Sequence, residues 1–214
     1  MIEIIPTILV KKFEKIKERI KTVEPYVNWI HLDIMDGIFA SNSTWNSPKD
    51  LKKIGTKMKL EAHLMVQKPE NVINDWLKVL DRIIIHYESK IDNKDLVIQK
   101  LIKKVHKKNK QIGLAISPDT PVNTVMPFLK KLDLVLIMTV NPGRGGQKFQ
   151  EKTLEKIKTL RKNWPNGNIA VDGGINPKSA KIAIQAGANI IYSGSYIFNS
   201  SDPGLAIKNL KSVV

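Results

Sequence analysis

Two histidines and two aspartates, spread over most of the chain, are the residues whose types suit metal and proton chemistry. His31 and Asp33 stand two apart in HLDIMDG (31–37), just after the apolar run YVNWI. Side chains two apart on a strand share one face. His63 stands near the end of KLEAHLM, and Asp172 near the end of NIAVDGG. Two imidazoles with two carboxylates make an N₂O₂ donor set suited to Zn²⁺, Fe²⁺, Mn²⁺ or Co²⁺, and donor softness does not choose among them. Paired carboxylates can also exchange protons with a substrate. Asp36 falls outside the two-residue register, beyond the strand end, and is expected to structure the loop there.

Whether these residues meet depends on the elements that carry them. Short β-branched runs alternate with amphipathic segments, and strands are expected near 2–8, 27–33, 58–65, 81–86, 111–116, 133–138, 168–172 and 189–193. Runs such as RIIIH and DLVLIM are almost continuously apolar, as in parallel strands buried on both faces. Between them, Phe13, Ile16, Ile20 and Val23 form one helical stripe, and Val97, Leu101, Ile102 and Val105 another. Ser47-Pro48, Thr120-Pro121, Asn176-Pro177 and Asp202-Pro203 each place a capping side chain before proline, a helix-start signal. Eight strand–helix alternations in 214 residues predict an α/β fold of the (β/α)₈ TIM-barrel type, with a doubly wound open sheet as the rival. No linker or composition shift divides the chain, so residues 1–214 are expected to form one barrel domain.

In such a fold, function collects at the C-terminal ends of the strands. His31, Asp33, His63 and Asp172 all fall there. So do three glycine-rich segments: NPGRGGQ (141–147), DGG (172–174) and SGS (193–195). Glycines let backbone N–H groups approach an anion, and the loops after strands 7 and 8 of barrels often hold phosphate. The segments are neither a Rossmann fingerprint nor a P-loop. Met35, Met65 and Met138 also fall at strand ends and are read as an apolar collar around the metal.

Composition narrows the function classes. The net charge of +15 comes from 35 Lys+Arg against 20 Asp+Glu. Its lysines interleave with apolar residues at helical spacing, as in VKKFEKIKERIK, so they read as solvated helix faces and no nucleic-acid partner is expected. No apolar stretch approaches the roughly 20 residues of a membrane span. The opening MIEIIPTILV reads as a first strand rather than a signal peptide. Cysteine is absent, which removes disulfides and thiolate metal sites and suits a cytoplasmic protein.

HLDIMDGIF, EAHLMVQKPE, IGLAISPDTPV, MTVNPGRGGQKF, IAVDGGIN and YSGSYIF together resemble, in order, the successive signatures of the ribulose-phosphate 3-epimerase family. The resemblance implies a (β/α)₈ barrel with one divalent metal that interconverts D-ribulose 5-phosphate and D-xylulose 5-phosphate. It implies that His31, Asp33, His63 and Asp172 hold the metal. Asp33 and Asp172 double as acid and base around a metal-stabilised enediolate. Thr7, His63, Gly143, Arg144, Gly145, Gly146, Gly173, Gly174, Gly194 and Ser195 fall in substrate- and phosphate-binding positions. Family members commonly form dimers or hexamers, so a homo-oligomer is expected. The chain departs from the family pattern at Thr7 (usually serine), at Ile38–Asn42 after MDG, in TWNSP, and at Arg144. These departures surround the substrate mouth and keep open a ketohexose 6-phosphate such as D-allulose 6-phosphate. Two other readings are a catalytically silent binding paralogue and a metal-free phosphate-binding barrel with a glutamate base. The first is opposed by retention of all four ligand types, the second by the lack of a glutamate at the strand 6 end.

Overall fold

Residues 2–213 are described by the computed structural model. Eight parallel strands pair in sequence order and close on themselves: β1 (Glu3–Ile8), β2 (Trp29–Met35), β3 (Lys59–Met65), β4 (Arg82–His86), β5 (Gln111–Ile116), β6 (Leu134–Met138), β7 (Ile169–Asp172) and β8 (Ile190–Ser193). Closure comes from pairing of β1 with β8, with Glu3 opposite Ile190. The chain therefore adopts the TIM-barrel architecture, not the open sheet.

Around the barrel run α1 (Phe13–Val23), α2 (Pro48–Leu51), α3 (Pro69–Trp76), α4 (Lys94–His106), a 3₁₀ helix (Val122–Lys131), α5 (Leu154–Asn163), α6 (Pro177–Ala186), α7 (Ser195–Phe198) and α8 (Pro203–Lys211). Strand residues that point outward join the inner faces of these helices in one large core, which includes Ile16, Ile20, Leu101, Ile102 and Leu160. On α4 the buried stripe is Ile98, Leu101, Ile102 and Val105, with Val97 only partly buried. The sequence stripe was thus one position off at its N-terminal end.

The proline-preceded starts divide. Asn176 caps α6 by accepting from the Lys178 and Ser179 N–H groups, and Ser179 Oγ closes the capping box. Asp202 caps α8 through the Leu205 N–H. Ser47 makes no side-chain cap; its carbonyl takes the Asp50 N–H instead. Thr120 opens no α-helix. Its hydroxyl donates to Glu88 and so is committed elsewhere. The segment that follows is 3₁₀, with Pro127 inside it, and proline removes a donor that an α-helix would use.

Strand alternation sorts the barrel interior. Ile5, Trp29, Ile84, Leu134, Leu136, Ala170, Ile190 and Tyr192 form a second apolar cluster inside it. Buried among the strands are also His31, Glu61, His63, Arg82 and His86. A charged barrel interior on this scale requires each ionic group to be paired.

Candidate active site and metal centre

Strand register brings the ligand candidates together. Asp33 on β2 lies opposite His63 on β3, and Thr7 on β1 opposite His31. Across the barrel, Asp172 on β7 lies between Met138 and Tyr192. One ligand atom from each of His31, Asp33, His63 and Asp172 lies within 4.8 Å of the others. Asp33 Oδ1 sits 3.4 Å from His31 Nε2 and 3.2 Å from His63 Nδ1.

Both imidazoles are held from behind. His31 Nδ1 lies 2.8 Å from Glu61 Oε1, and Glu61 Oε2 accepts from Arg82 Nε. The Arg82 guanidinium lies over the Trp29 ring at 4.1 Å. His63 Nε2 lies 2.7 Å from His86 Nε2, and His86 Nδ1 lies 2.8 Å from Glu88 Oε2. The His86 ring is stacked with His63 and tilted against Phe39, with centroids 4.8 and 4.6 Å away. Glu61, Arg82, His86 and Glu88 were not among the predicted site residues. Glu61 and His63 do obey the two-residue rule that linked His31 to Asp33, so that signal was present.

Electrostatics follow from this wiring. Burial alone would lower the His31 pKa, but the Asp33 and Glu61 carboxylates beside it raise it to about 10. Burial would raise that of Asp33, yet the His31 and His63 rings beside its Oδ1 hold it well below the carboxylate range. His63 is pushed down to about 4, chiefly by burial. Asp172 goes the other way: burial, then the Asp33 charge, pushes it up to about 7. Glu61 is held low because the Arg82 charge and the His31 contact outweigh burial.

The cluster fits a divalent cation. His31 Nε2 is buried and has no hydrogen-bond partner, while its Nδ1 is taken by a carboxylate. An imidazole oriented in this way by an outer carboxylate is the common arrangement at metal sites. The proton that His31 carries in the metal-free protein competes with any metal for Nε2.

Above the cluster opens a cavity of about 450 Å³, bordered by Asp33, Asp172, Thr7, Met35, Met65 and Met138. Gly143, Arg144, Gly145, Gly146, Gly173, Gly174, Gly194 and Ser195 border it too. His31 and His63 lie fully buried beneath this wall. His63, expected from the sequence to touch substrate, is not among the residues that border the cavity. Arg19 of α1 also borders the cavity, with its guanidinium 4.7 Å from the Phe198 ring. It was missed because helix packing, not strand spacing, brings it there. Close approach explains two glycines. A Cβ at Gly194 would meet Thr7 Oγ1 at 2.5 Å, and one at Gly174, where φ is +65°, would meet Phe149 N at 2.4 Å.

The loops are tied down. Asp36 Oδ1 accepts the Ile38 and Phe39 N–H groups and Oδ2 that of Gln67, so this aspartate organises the turn after β2. Asn42 Nδ2 donates to the Gly143 carbonyl at 3.2 Å, joining that turn to the glycine loop after β6. Gln147 braces the same loop through the carbonyls of Asn141 and Arg144.

Comparison with known proteins now decides the family. Residues 3–198 match the model of the ribulose-phosphate 3 epimerase family. The chain belongs to that family. The cytoplasmic isoform of ribulose-phosphate 3-epimerase from Oryza sativa is 38% identical, over 99% of this chain and 94% of its own. The Bacillus subtilis ribulose-phosphate 3-epimerase is 34% identical over 99% of both chains. Among solved structures, 3-hexulose-6-phosphate synthase from Salmonella typhimurium superposes with a TM-score of 0.74 at 16% identity, covering 99% of this chain and 97% of its own. Orotidine 5'-monophosphate decarboxylase from Methanocaldococcus jannaschii does so at 0.70 and 16%, covering 100% and 98%. At that identity the superpositions establish the barrel alone. The chain is thus an epimerase, which removes the silent binding paralogue. Among the epimerase's described residues no helix is long and apolar enough to cross a membrane.

Proposed function

We propose that this epimerase interconverts D-ribulose 5-phosphate and D-xylulose 5-phosphate by taking a proton from C3 and returning one to the opposite face. One observation carries the mechanism. Asp33 and Asp172, on strands from different sides of the barrel, border the same cavity, and their surroundings drive their proton affinities apart. Paired groups separated in this way divide into base and acid. Asp33, kept ionised, takes the C3 proton made acidic by the neighbouring ketone. Asp172, the carboxyl whose metal-free surroundings favour the proton, delivers one to the other face of the enediolate. For the opposite epimer the roles exchange.

His31, Asp33, His63 and Asp172 would hold the divalent metal, Zn²⁺, Fe²⁺, Mn²⁺ or Co²⁺, which supplies positive charge beside the developing oxyanion when bound. Met35, Met65 and Met138 limit water at the reacting carbon. The glycines of the three loops offer backbone N–H groups to the substrate phosphate, with Ser195 beside them. Arg19 and Arg144 add cationic charge at the cavity wall. The family and the names of its relatives support the pentose phosphate as substrate.

Asp33→Asn should lower both epimerisation and deuterium uptake at C3 in D₂O by roughly 10²- to 10⁴-fold, with the fold intact by circular dichroism. Near-normal turnover would remove Asp33 from the chemistry. kcat/KM should be higher for ribulose 5-phosphate than for D-allulose 6-phosphate; the reverse order would assign the hexose reading, which the departures at Ile38–Asn42 and Arg144 keep open.

A further inference from the structure

Glu88 does not border the metal cluster, and neither does the loop that holds it. Yet a continuous chain of contacts runs from that loop to His63. Ser117 N–H donates to Glu88 Oε1 at 2.7 Å, and the Thr120 hydroxyl donates to the same oxygen. Lys156 of α5 fixes this loop by donating to the carbonyls of Ser117, Pro118 and Thr120 at 2.9, 2.6 and 2.5 Å. Glu88 Oε2 faces His86 Nδ1 at 2.8 Å, and His86 Nε2 faces His63 Nε2 at 2.7 Å. The far nitrogen of His63, Nδ1, points to Asp33 and the cluster.

A carboxylate only accepts, so His86 must carry its proton on Nδ1. A neutral His86 then has a lone pair on Nε2, and His63 must donate to it from its own Nε2. The remaining lone pair of His63 then falls on Nδ1, the form that ligation requires, whereas in the metal-free protein the Asp33 carboxylate beside Nδ1 favours a proton there. We propose that Glu88 is a positioning residue that selects, through His86, the His63 tautomer able to bind metal. The inference rests on the metal reading of the cluster. It concerns which ring nitrogens carry the protons, not a change of charge.

The Ser117 N–H makes the inference testable by a single near-isosteric change. In Glu88→Gln the amide oxygen must stay on Ser117, because an N–H cannot face an N–H. The amide nitrogen is then turned toward His86 Nδ1 as a donor. Every tautomer along the chain reverses, and His63 Nδ1 becomes an N–H that cannot ligate.

Two measurements decide it. Zn²⁺ affinity of metal-stripped protein, by competition with a chelating dye, should fall by roughly 10- to 100-fold in Glu88→Gln, the range typical of lost outer partners. Ring ¹⁵N NMR of the Zn²⁺-loaded wild type should show His86 protonated on Nδ1 and His63 on Nε2. In the metal-free variant it should show His86 protonated on Nε2 and His63 on Nδ1. Wild-type His86 protonated on Nε2, alone or on both nitrogens, would overturn the proposal without any variant. So would unchanged affinity, or an affinity loss with His86 still protonated on Nδ1 in the variant, which is the outcome of a merely structural role. If wild-type protein binds no Zn²⁺, the metal site itself fails and the inference with it; the other failures leave the metal site standing.

Discussion

At Glu88 the hydrogen bonds that hold His86 also set an acid limit on the fold. Burial would raise its pKa, but contacts with His86, Ser117 and Thr120 bring it from 4.5 down to about 2. A depressed carboxylate stabilises the fold above its unfolded pKa, and that contribution is lost as pH falls through its folded one. The contribution is on the order of 3 kcal/mol at neutral pH. Metal-free Glu88→Gln should therefore unfold at lower urea concentration than wild type at pH 7, and the gap should close between about pH 4.5 and 2. A gap as wide at pH 2 as at pH 7 would show that the charge of Glu88 does not stabilise the fold. Gly194 is constrained by shape: Ala there drives Cβ into Thr7 Oγ1. Gly194→Ala should cost about 1–3 kcal/mol of stability by the same assay. The sequence brought the four ligand candidates into view because each is a polar residue at the end of an apolar strand. Glu88 and Arg82 stayed hidden. Their partners, His86 apart, lie on other strands or loops, and no spacing along one strand announces a contact of that kind.

Elements were the most legible scale. The expected strands differ from the observed ones by no more than two residues at any end, because strands buried on both faces must be written as apolar runs. The helix starts were less legible, since a capping side chain can be claimed by a tertiary partner, as Thr120 is by Glu88. Where the cap is made, its loss should register. Asn176→Ala removes the acceptor for two N–H groups of α6 and should destabilise the protein by about 1 kcal/mol in urea unfolding. Ser47→Ala, at a position with no side-chain cap, is the matched control and should change stability far less.

For the whole molecule, a metal held between β2, β3 and β7 would join distant parts of the chain. A ligand that binds only the folded state, at about a thousand times its Kd, adds about 4 kcal/mol. For a chain of this size that corresponds to a Tm shift on the order of 10 °C. Stripping the metal with a chelator should lower Tm by about that amount in a thermal melt, and adding back Zn²⁺ or Mn²⁺ should restore it. An unchanged Tm would place the cation outside the fold's energetics. The closed topology was readable by counting strand–helix alternations, but the ionic filling of the barrel was not. Glu61 shares a strand face with His63, but Arg82 looks in sequence like an ordinary surface charge, and closure buries both.

Closure of the barrel by β1 and β8 also sets a clock. Glu3 and Ile190 are joined across nearly the full length of the chain, and contacts at such separation form slowly because loop entropy must be overcome first. His31, Asp33 and His63 are carried by neighbouring strands early in the chain, whereas Asp172 belongs to the late strands that complete the ring. A partly folded chain thus presents an incomplete set of ligands. Capture of a cation by this set would become a late event in maturation, and the metal-loaded fraction of newly made protein would count the barrels that have closed.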